Sequence, residues 1–346
     1  MDDFSNIKSR PLETETEIDQ GGAFVRQKNR FSVPFGDGEG EQKAEAGRYR
    51  LVWAYGCNWS NRASIVRELL GLEDAISVTV VGHGNHERNL GWEFVNDPGG
   101  ADAATGVRFL SELYYNGDPD YTGRPTVPAL IDVRTKTVAS NDYHHLTNYF
   151  EVAFKPFQKP DAPDLYPENL RAEIDSLNVW LFNNVNNGVY KCGFAQTIEA
   201  YDAAYEVLYD SLDLLEKRLD TRRFLFGDYV TDSDVRLYVT LARFDSAYAI
   251  THLGPTKHRL VDYKNLWGYA RELWQIPAFR NNTFFREFSR PEFKSKSFFT
   301  PYMERFIDQI DFEGLWGTPV HRSFLSHDPE HKLLIPGVSR VEYPNG

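Results

Sequence analysis

The chain has 346 residues, of which 41% are hydrophobic, so it can bury a sizeable core and is expected to divide into two domains. Fifty acidic against 38 basic residues give a net charge of −12, which argues against nucleic acid or anionic lipid as the main partner. No apolar run reaches the ~18 residues needed to span a bilayer, and the first residues lack a signal pattern. We therefore expect a cytoplasmic protein without membrane contact.

Residues 1–48 are expected to form an arm rather than a domain, because glycines and prolines interrupt every periodic pattern there. A strand over residues 49–55 then leads into a helix that begins near Asn58 and stops at Gly71. The nearly continuous β-branched run at 75–81 predicts a second strand, covered on both faces.

A hairpin is predicted next, with one strand in 126–132 and the other in 137–140, followed by a helix that opens near Asn141. The run at 110–114 is short and ambiguous. The order strand, helix, strand, helix, hairpin, helix is that of a thioredoxin-like domain, which we place at residues 49–154.

Cys57 lies where the first strand turns into the first helix. The unpaired N–H groups and the positive dipole end of a helix N-terminus favour the thiolate, the form that attacks disulfides and thioethers. Ser60 stands where a dithiol redox motif has its second cysteine, and the other cysteine, Cys192, is distant in sequence. A small external thiol is therefore the natural partner of a reactive Cys57. The alternative is that Cys57 is simply a small buried apolar side chain.

The Val127-Pro128 pair has two interpretations in this setting. Proline cannot donate to a sheet, so it marks either an edge strand or a cis turn at the start of a strand. A cis turn would direct the Val127 backbone toward Cys57 and leave its N–H and C=O to hold an extended peptide.

Three prolines in residues 155–164 predict a linker, and the pattern of residues 165–346 is that of an all-helical domain with a C-terminal extension. An apolar stripe over residues 201–219 predicts one long amphipathic helix. Thr231 to Asp234 resemble a helix-capping box, which gives Asp234 a structural rather than a catalytic role.

Four histidines are close in sequence: His83, His86, His144 and His145. No carboxylate or thiolate spacing makes them a convincing metal site, and no phosphate-binding glycine loop is present. We therefore expect no metal site and no nucleotide.

Several motifs follow one another along the chain. In the first half they are C-x-W-x-x-R at 57–62, G-W-x-F at 91–94 and Y-T-G-R-x-T-V-P at 121–128. In the second half they are N-N-G-V-Y-K-x-G-F-A at 186–195, F-L-F-G-D at 224–228, R-F-D at 243–245 and N-L-W-G-Y at 265–269. In number and order these motifs resemble the Xi-class glutathione transferases, the glutathionyl-hydroquinone reductases. The resemblance implies the glutathione transferase fold, a thioredoxin-like α/β domain followed by an all-α substrate domain.

The resemblance also implies a reaction that uses glutathione as co-substrate and needs neither metal nor flavin. A cysteine thiolate attacks the sulfur of a glutathionyl-hydroquinone, the hydroquinone leaves, and a second glutathione releases the enzyme as glutathione disulfide. By motif position, Cys57 is the nucleophile, Tyr190 helps protonate the departing aromatic, and Tyr248 lines the same pocket. The alternative for both tyrosines is core packing with a satisfied hydroxyl. The two asparagines and the glycine shortly before Tyr190 predict that it lies on a loop rather than inside the helical core.

The thiol-binding groups implied by the resemblance are Trp92, Arg124, Val127, Asp142 and Tyr143, and the family resemblance also implies a homodimer. The family has Glu-Ser where this chain has Asp142-Tyr143. A shorter carboxylate can still pair with an ammonium group, but Tyr143 cannot repeat the compact hydrogen bonds of a serine. Another low-molecular-weight thiol is therefore an alternative to glutathione.

Other positions also depart from the family pattern. Asn58 replaces a proline after the cysteine, and Ser60-Asn61 replace an Ala-His pair. The family's C-terminal segment is not recognisable after Pro277, where Tyr302 is a possible counterpart without an assigned role. A second hypothesis, from a different class, is a non-catalytic binding or regulatory protein that kept the fold and lost its grip on glutathione.

Overall fold

The computed structural model describes residues 17–83, 90–254, 257–289, 305 and 307–335. His86 and Tyr302, which were named from the sequence, lie outside these ranges. Within the described part, the chain folds into two compact units.

Along the described residues, the chain passes from one unit to the other twice. The first unit comprises Gln27–Lys159, and the second comprises Glu17–Arg26 together with the described residues from Pro160 onward. The described residues of the expected N-terminal arm are therefore shared, since 17–26 belong to the second unit and 27–48 to the first.

The strands described in the first unit are β1 Tyr49–Trp53, β2 Ile76–Val80, β3 Gly82–His83, β4 Trp92–Glu93, β5 Ala129–Asp132 and β6 Thr137–Ser140. One mixed sheet has the order β2, β1, β5, β6, with β1 parallel to β2 and antiparallel to β5. The predicted hairpin is confirmed as β5 and β6, and β3 and β4 form a separate antiparallel pair.

The prediction that the second strand is covered on both faces is wrong. β2 is at the edge of the sheet, where Ser77 is exposed and Val78 and Val80 are partly exposed. Its β-branched residues therefore reflect strand preference rather than full burial.

The helices described in the first unit are α1 Asn58–Leu69, α2 Leu110–Gly117 and α3 Leu146–Val152. The predicted helix after Cys57 is confirmed as α1, and Gly71 beyond its end has a φ of 65°, a conformation that favours glycine. The ambiguous run at 110–114 is the start of α2. The Glu112 carboxylate caps that start by accepting the N–H of Phe109 at 3.0 Å.

The helix expected near Asn141 begins later, at Leu146. Asn141 uses its side-chain oxygen to accept the N–H of Phe31 at 2.9 Å, and the Asp142 carboxylate accepts the N–H of His144 at 3.2 Å. These local bonds hold the backbone in a turn and so compete with helix formation.

The helices described in the second unit are α4 Arg171–Leu181, α5 Gly188–Phe194, α6 Ile198–Arg218, α7 Asp232–Arg243, α8 Ala249–Thr251, α9 Lys264–Trp274, α10 Pro277–Asn281, α11 Phe285–Ser289 and α12 Phe312–Trp316. Two wider π-turns, Phe182–Asn186 and Phe244–Tyr248, follow α4 and α7. The predicted long amphipathic helix is α6, which buries Leu208, Leu212 and Leu215.

The capping box at the start of α7 is confirmed. The Asp234 carboxylate accepts the backbone N–H and the hydroxyl of Thr231, both at 2.8 Å, and also the hydroxyl of Tyr269 at 2.8 Å. Burial raises the pKa of Asp234, while these donors oppose that effect. The carboxylate therefore ties α7 to α9 inside the second unit.

Candidate active site

Cys57 is the N-cap residue of α1, directly after the turn that leaves β1. Its N–H donates to the carbonyl of Ala54 at 3.0 Å, which fixes the turn. The side chain is half-buried. The thiol is therefore at the N-terminus of a 12-residue helix, the position that its sequence context predicted.

The peptide bond between Val127 and Pro128 is cis, which decides between the two interpretations of that pair. The carbonyl oxygen of Val127 accepts a hydrogen bond from the Cys57 thiol, with 3.3 Å between Sγ and O. Val127 is buried in the core of the first unit, and Cys57 and Trp92 pack against that core. The cis turn thus does direct the Val127 backbone toward the thiol.

The backbone of Arg124 is held by Gln27, a residue that the sequence did not suggest. The amide of Gln27 accepts the N–H of Arg124 and donates to its carbonyl, both at 2.9 Å. The hydroxyl of Tyr121 donates to the same carbonyl at 3.0 Å. These bonds fix the loop that carries Arg124 to the cis turn.

The carboxylate of Asp142 is buried and engaged within the first unit. Its Oδ1 accepts the side-chain amide of Asn29 at 3.0 Å, and its Oδ2 lies 2.8 Å from Nδ1 of His145. Burial alone raises the pKa of Asp142, but the hydrogen bond and charge of His145, together with His144, lower it overall. The Asp142 carboxylate therefore carries a negative charge that Asn29 and His145 already contact.

Tyr143 fills space that a serine would leave open. Its ring packs against Trp59 of α1 at 5.2 Å between centroids and against His144 at 4.3 Å. Within the described residues, no group of three or more His, Cys, Asp or Glu side chains is arranged to hold a metal ion.

The prediction that Tyr190 lies on a loop is wrong, because it lies on α5. Asn186 and Asn187 look like loop residues, but the backbone continues from α4 through a π-turn into α5. The side-chain amide of Asn186 holds this turn by donating to the carbonyl of Arg236 and to the hydroxyl of Thr240, each at 2.7 Å.

Tyr190 and Tyr248 form a pair within the second unit. Their hydroxyl oxygens are 3.1 Å apart, and their ring centroids are 5.6 Å apart. Tyr190 is half-buried, and Tyr248, at the end of the second π-turn, is 4% exposed. One hydroxyl can thus donate a hydrogen bond to the other. When one tyrosine loses its proton, the hydroxyl of the second can donate to the oxygen that has become negative.

His252 completes this aromatic cluster. Its ring is 5.4 Å from that of Tyr190 and 5.2 Å from that of Tyr248. Burial lowers the pKa of His252 to about 4, so its imidazole is neutral near pH ~7. A side-chain carbon at Gly193 would collide with this ring, which explains the glycine in the motif at 186–195.

The predicted site residues fall into two groups. The structure gathers Cys57 and Val127 in the first unit, together with Trp92 against the same core, and it pairs Tyr190 with Tyr248 in the second. A cavity of about 580 Å³ in the second unit is lined mainly by apolar side chains from Ala242 to Trp316, but neither tyrosine lines it.

A thioredoxin-like unit with a cysteine at its first helix and a cis-proline, followed in the chain by an all-helical unit, defines a glutathione transferase. A family model of the glutathione S-transferase C-terminal domain matches residues 198–272. Glutathionyl-hydroquinone reductase YqjG of Escherichia coli K12 is 39% identical over 81% of this chain and 87% of that protein.

Solved structures agree with this match. The Xi glutathione S-transferase of Phanerochaete chrysosporium is 39% identical, with a TM-score of 0.74 over 84% of this chain and 96% of that one. The glutathione-bound structure of YqjG is 38% identical, with a TM-score of 0.70 over 79% of this chain and 91% of that one. The chain belongs to the Xi class of glutathione transferases, the family of the glutathionyl-hydroquinone reductases. In the part of the chain that the structure describes, no helix is long and apolar enough to cross a membrane.

We expect iodoacetamide at pH ~7.5 to alkylate Cys57 in the native protein and to leave Cys192 unmodified. Cys57 is half-buried at a helix N-terminus, whereas Cys192 is 3% exposed and burial raises the pKa of its thiol to about 12. Peptide mass spectrometry after labelling measures both sites. Cys57→Ala should abolish labelling and Cys192→Ser should not change it, and equal labelling of the two thiols would contradict the expectation.

Proposed function

We propose that this enzyme removes glutathione from glutathionyl-hydroquinones, with Cys57 as the nucleophile. The observation that carries the proposal is the thiol at the N-terminus of α1, 3.3 Å from the carbonyl of Val127 at the cis-proline turn. The family supports it, since a relative named glutathionyl-hydroquinone reductase is 39% identical over most of the chain. The glutathione in the solved structure of YqjG supports glutathione as the thiol.

The reaction proceeds in two exchanges at sulfur. The Cys57 thiolate attacks the sulfur of the glutathionyl-hydroquinone, an S–S bond forms, and the bond from sulfur to the aromatic carbon breaks. Its electron pair stays on the ring carbon, which takes up a proton, so the aromatic is reduced by two electrons. A second glutathione thiolate then attacks the mixed disulfide, releases Cys57 and leaves as glutathione disulfide.

We assign Tyr190 as the group that donates a proton to the departing ring. Its hydroxyl lies 3.1 Å from that of Tyr248, so Tyr248 can donate a hydrogen bond to the oxygen that loses the proton. The neutral imidazole of His252 packs against both rings.

The thiol site is assigned to Trp92, Arg124, Val127, Asp142 and Tyr143. The N–H and C=O of Val127 would hold the extended glutathione backbone as a short added strand. Asp142, whose charge is favoured by the histidines beside it, would pair with the ammonium group of the γ-glutamyl end. Both cysteines are free thiols, which fits a cytoplasmic location, and a homodimer is proposed on the family resemblance.

A non-catalytic binding protein is the second candidate, suggested by Asp142-Tyr143 in place of Glu-Ser. The presence of Cys57 together with the Tyr190–Tyr248 pair favours the enzyme, because a scaffold does not need a thiol and two adjoining hydroxyls.

Purified enzyme should convert a glutathionyl-hydroquinone and glutathione to hydroquinone and glutathione disulfide, and Cys57→Ala should lose at least ~10³-fold in rate. Liquid chromatography of both products measures the conversion. Cys192→Ser is the matched control and should keep parental activity, because Cys192 is buried on α5. Parental activity in Cys57→Ala would show that Cys57 is not the nucleophile.

Tyr190→Phe should lower the turnover rate by roughly 10²- to 10⁴-fold with little change in melting temperature, because it removes the proton donor and keeps the ring. Tyr205→Phe is the control, since Tyr205 is a half-buried tyrosine of the same unit whose hydroxyl accepts the N–H of Lys257. A Tyr190→Phe enzyme with full activity and a lower melting temperature would show that the hydroxyl is structural.

Changing Asp142 to Glu and Tyr143 to Ser together should tighten glutathione binding, with each restored charged hydrogen bond contributing about 1.5–3 kcal/mol at best. Isothermal calorimetry on the parent and the double variant measures this. Tyr143→Phe is the control, because it keeps the ring against Trp59 and should not gain affinity. Unchanged or weaker binding in the double variant would mean that this chain holds its thiol by other groups.

A further inference from the structure

The segment Glu17–Arg26 is an ordered turn that belongs to the helical unit, although it precedes the thioredoxin-like unit in sequence. The carboxylate of Asp19 accepts the N–H groups of Gly21 and Ala23 at 2.8 and 2.9 Å, which closes the turn. We call these ten residues the 17–26 segment. Its internal bonds make it a defined piece of structure rather than a loose arm.

The 17–26 segment is attached where α5 meets α6. The carbonyl of Gly22 accepts the N–H of Gln196 at 2.8 Å, and the ring of Phe24 lies 5.2 Å from that of Phe194. Phe24 is 7% exposed, so its ring is buried in the folded protein. The segment is therefore fixed against the same helix that carries Tyr190.

Arg26, the last residue of the segment, reaches the tyrosine pair. Its Nε donates to the side-chain oxygen of Asn187 at 2.9 Å, and the guanidinium carbon lies 4.9 Å from the ring centroid of Tyr190. The same guanidinium lies 5.1 Å from the ring of Phe24. Arg26 is thus held from two sides while its charge faces the Tyr190 ring.

A cation over the face of a phenol ring acts on both of its protonation states. It attracts the neutral ring through the quadrupole, and it attracts the phenolate more strongly because the ring then carries a full negative charge. Arginine stays positive at any pH the enzyme meets, and partial burial strengthens its field. The position of Arg26 therefore favours a Tyr190 that has given up its proton.

We propose that Arg26 is a positioning residue for the reaction, which orients the Tyr190 ring and stabilises the phenolate left when Tyr190 transfers its proton to the departing aromatic. This inference rests on the proposed function. The transferred proton goes to the ring carbon that has kept the electron pair of the broken carbon–sulfur bond. The negative charge left on Tyr190 is stabilised by the guanidinium of Arg26 and by a hydrogen bond from the hydroxyl of Tyr248.

Other titratable groups pack close to Tyr190 in the helical unit. Tyr248 and His252 contact its ring, and burial lowers the pKa of His252 to about 4, so it brings no charge near neutral pH. Lys191, the next residue on α5, turns its ammonium group to the carbonyl of Asn183 at 2.9 Å. Arg26 therefore places a positive charge over the Tyr190 ring, whereas the ammonium group of Lys191 is engaged elsewhere.

The first measurement follows the ionisation of Tyr190 without turnover. Full-length protein labelled with ¹³Cζ-tyrosine is titrated by NMR, and the Tyr190 signal is identified by its loss in Tyr190→Phe. In Arg26→Gln, the midpoint of this titration should move to higher pH by about 0.5 to 1 unit, because a positive charge is lost. Arg26→Lys keeps a charge in the same place and should return part of that shift.

The second measurement is turnover against pH on the same variants. Arg26→Gln should lower kcat by roughly 3- to 30-fold. It should also shift the alkaline limb of the pH profile to higher pH, in step with the titration midpoint. Arg171→Gln is the matched control, since the guanidinium of Arg171 lies 5.1 Å from the ring of Tyr166 in the same unit. The Arg171→Gln variant loses a contact between a guanidinium and a tyrosine ring, as Arg26→Gln does, and should keep the parental pH profile.

An unchanged midpoint in Arg26→Gln overturns the inference, whatever the enzyme activity. A raised midpoint with unchanged kcat overturns the catalytic part, because it shows that Tyr190 does not deliver the proton. A parent without reductase activity defeats the proposed function, while the titration still decides whether Arg26 controls Tyr190. A fall in melting temperature alone, with no shift in Arg26→Gln or Arg26→Lys, would show a purely structural arginine.

Discussion

The antiparallel register of β1 against β5 is the constraint on which the proposed thiol site depends. Val52 pairs with Ala129 at the end of the sheet where β1 finishes and β5 begins. The residues just after β1 and just before β5 must therefore meet, which brings Cys57 close to Val127. Because backbone bonds in a buried sheet fix this meeting, departures from the family pattern such as Asn58 leave it intact.

Local patterns in the sequence were enough for the elements that carry the thiol. The apolar face of α1, its stop at Gly71 and the position of Cys57 between strand and helix are all read from neighbouring residues. Tyr190 was wrongly predicted to lie on a loop, because Asn186 and Asn187 are residues that favour loops. In the folded chain, long-range hydrogen bonds from Asn186 to α7 hold the backbone in a turn that continues into a helix.

The residues that the sequence did not suggest act through contacts far apart along the chain. Gln27 is 97 residues from Arg124, and Arg26 is 161 residues from Asn187. No periodicity connects such positions, so only the folded structure reveals the pairs. The requirement for glycine at Gly193 is a partial exception, since a glycine inside a helix indicates close packing even when its neighbour, His252, is not known.

In the proposed thiol site, the network around Asp142 bears on which thiol is accepted. A charged carboxylate that already contacts Asn29 and His145 offers a ligand a negative field rather than a vacant partner. An ammonium group can add to such a field, but it must compete with the imidazole for the same oxygen.

The crossing between units at Arg26 makes the helical unit discontinuous in sequence, with the thioredoxin-like unit inserted after its first ten described residues. During synthesis, the 17–26 segment leaves the ribosome early, while its partners near Asn187 and Gln196 are made about 170 residues later. The inserted unit can fold in the interval. The 17–26 segment cannot dock until these later residues have been made. The helical unit is therefore completed only after the thioredoxin-like unit has left the ribosome.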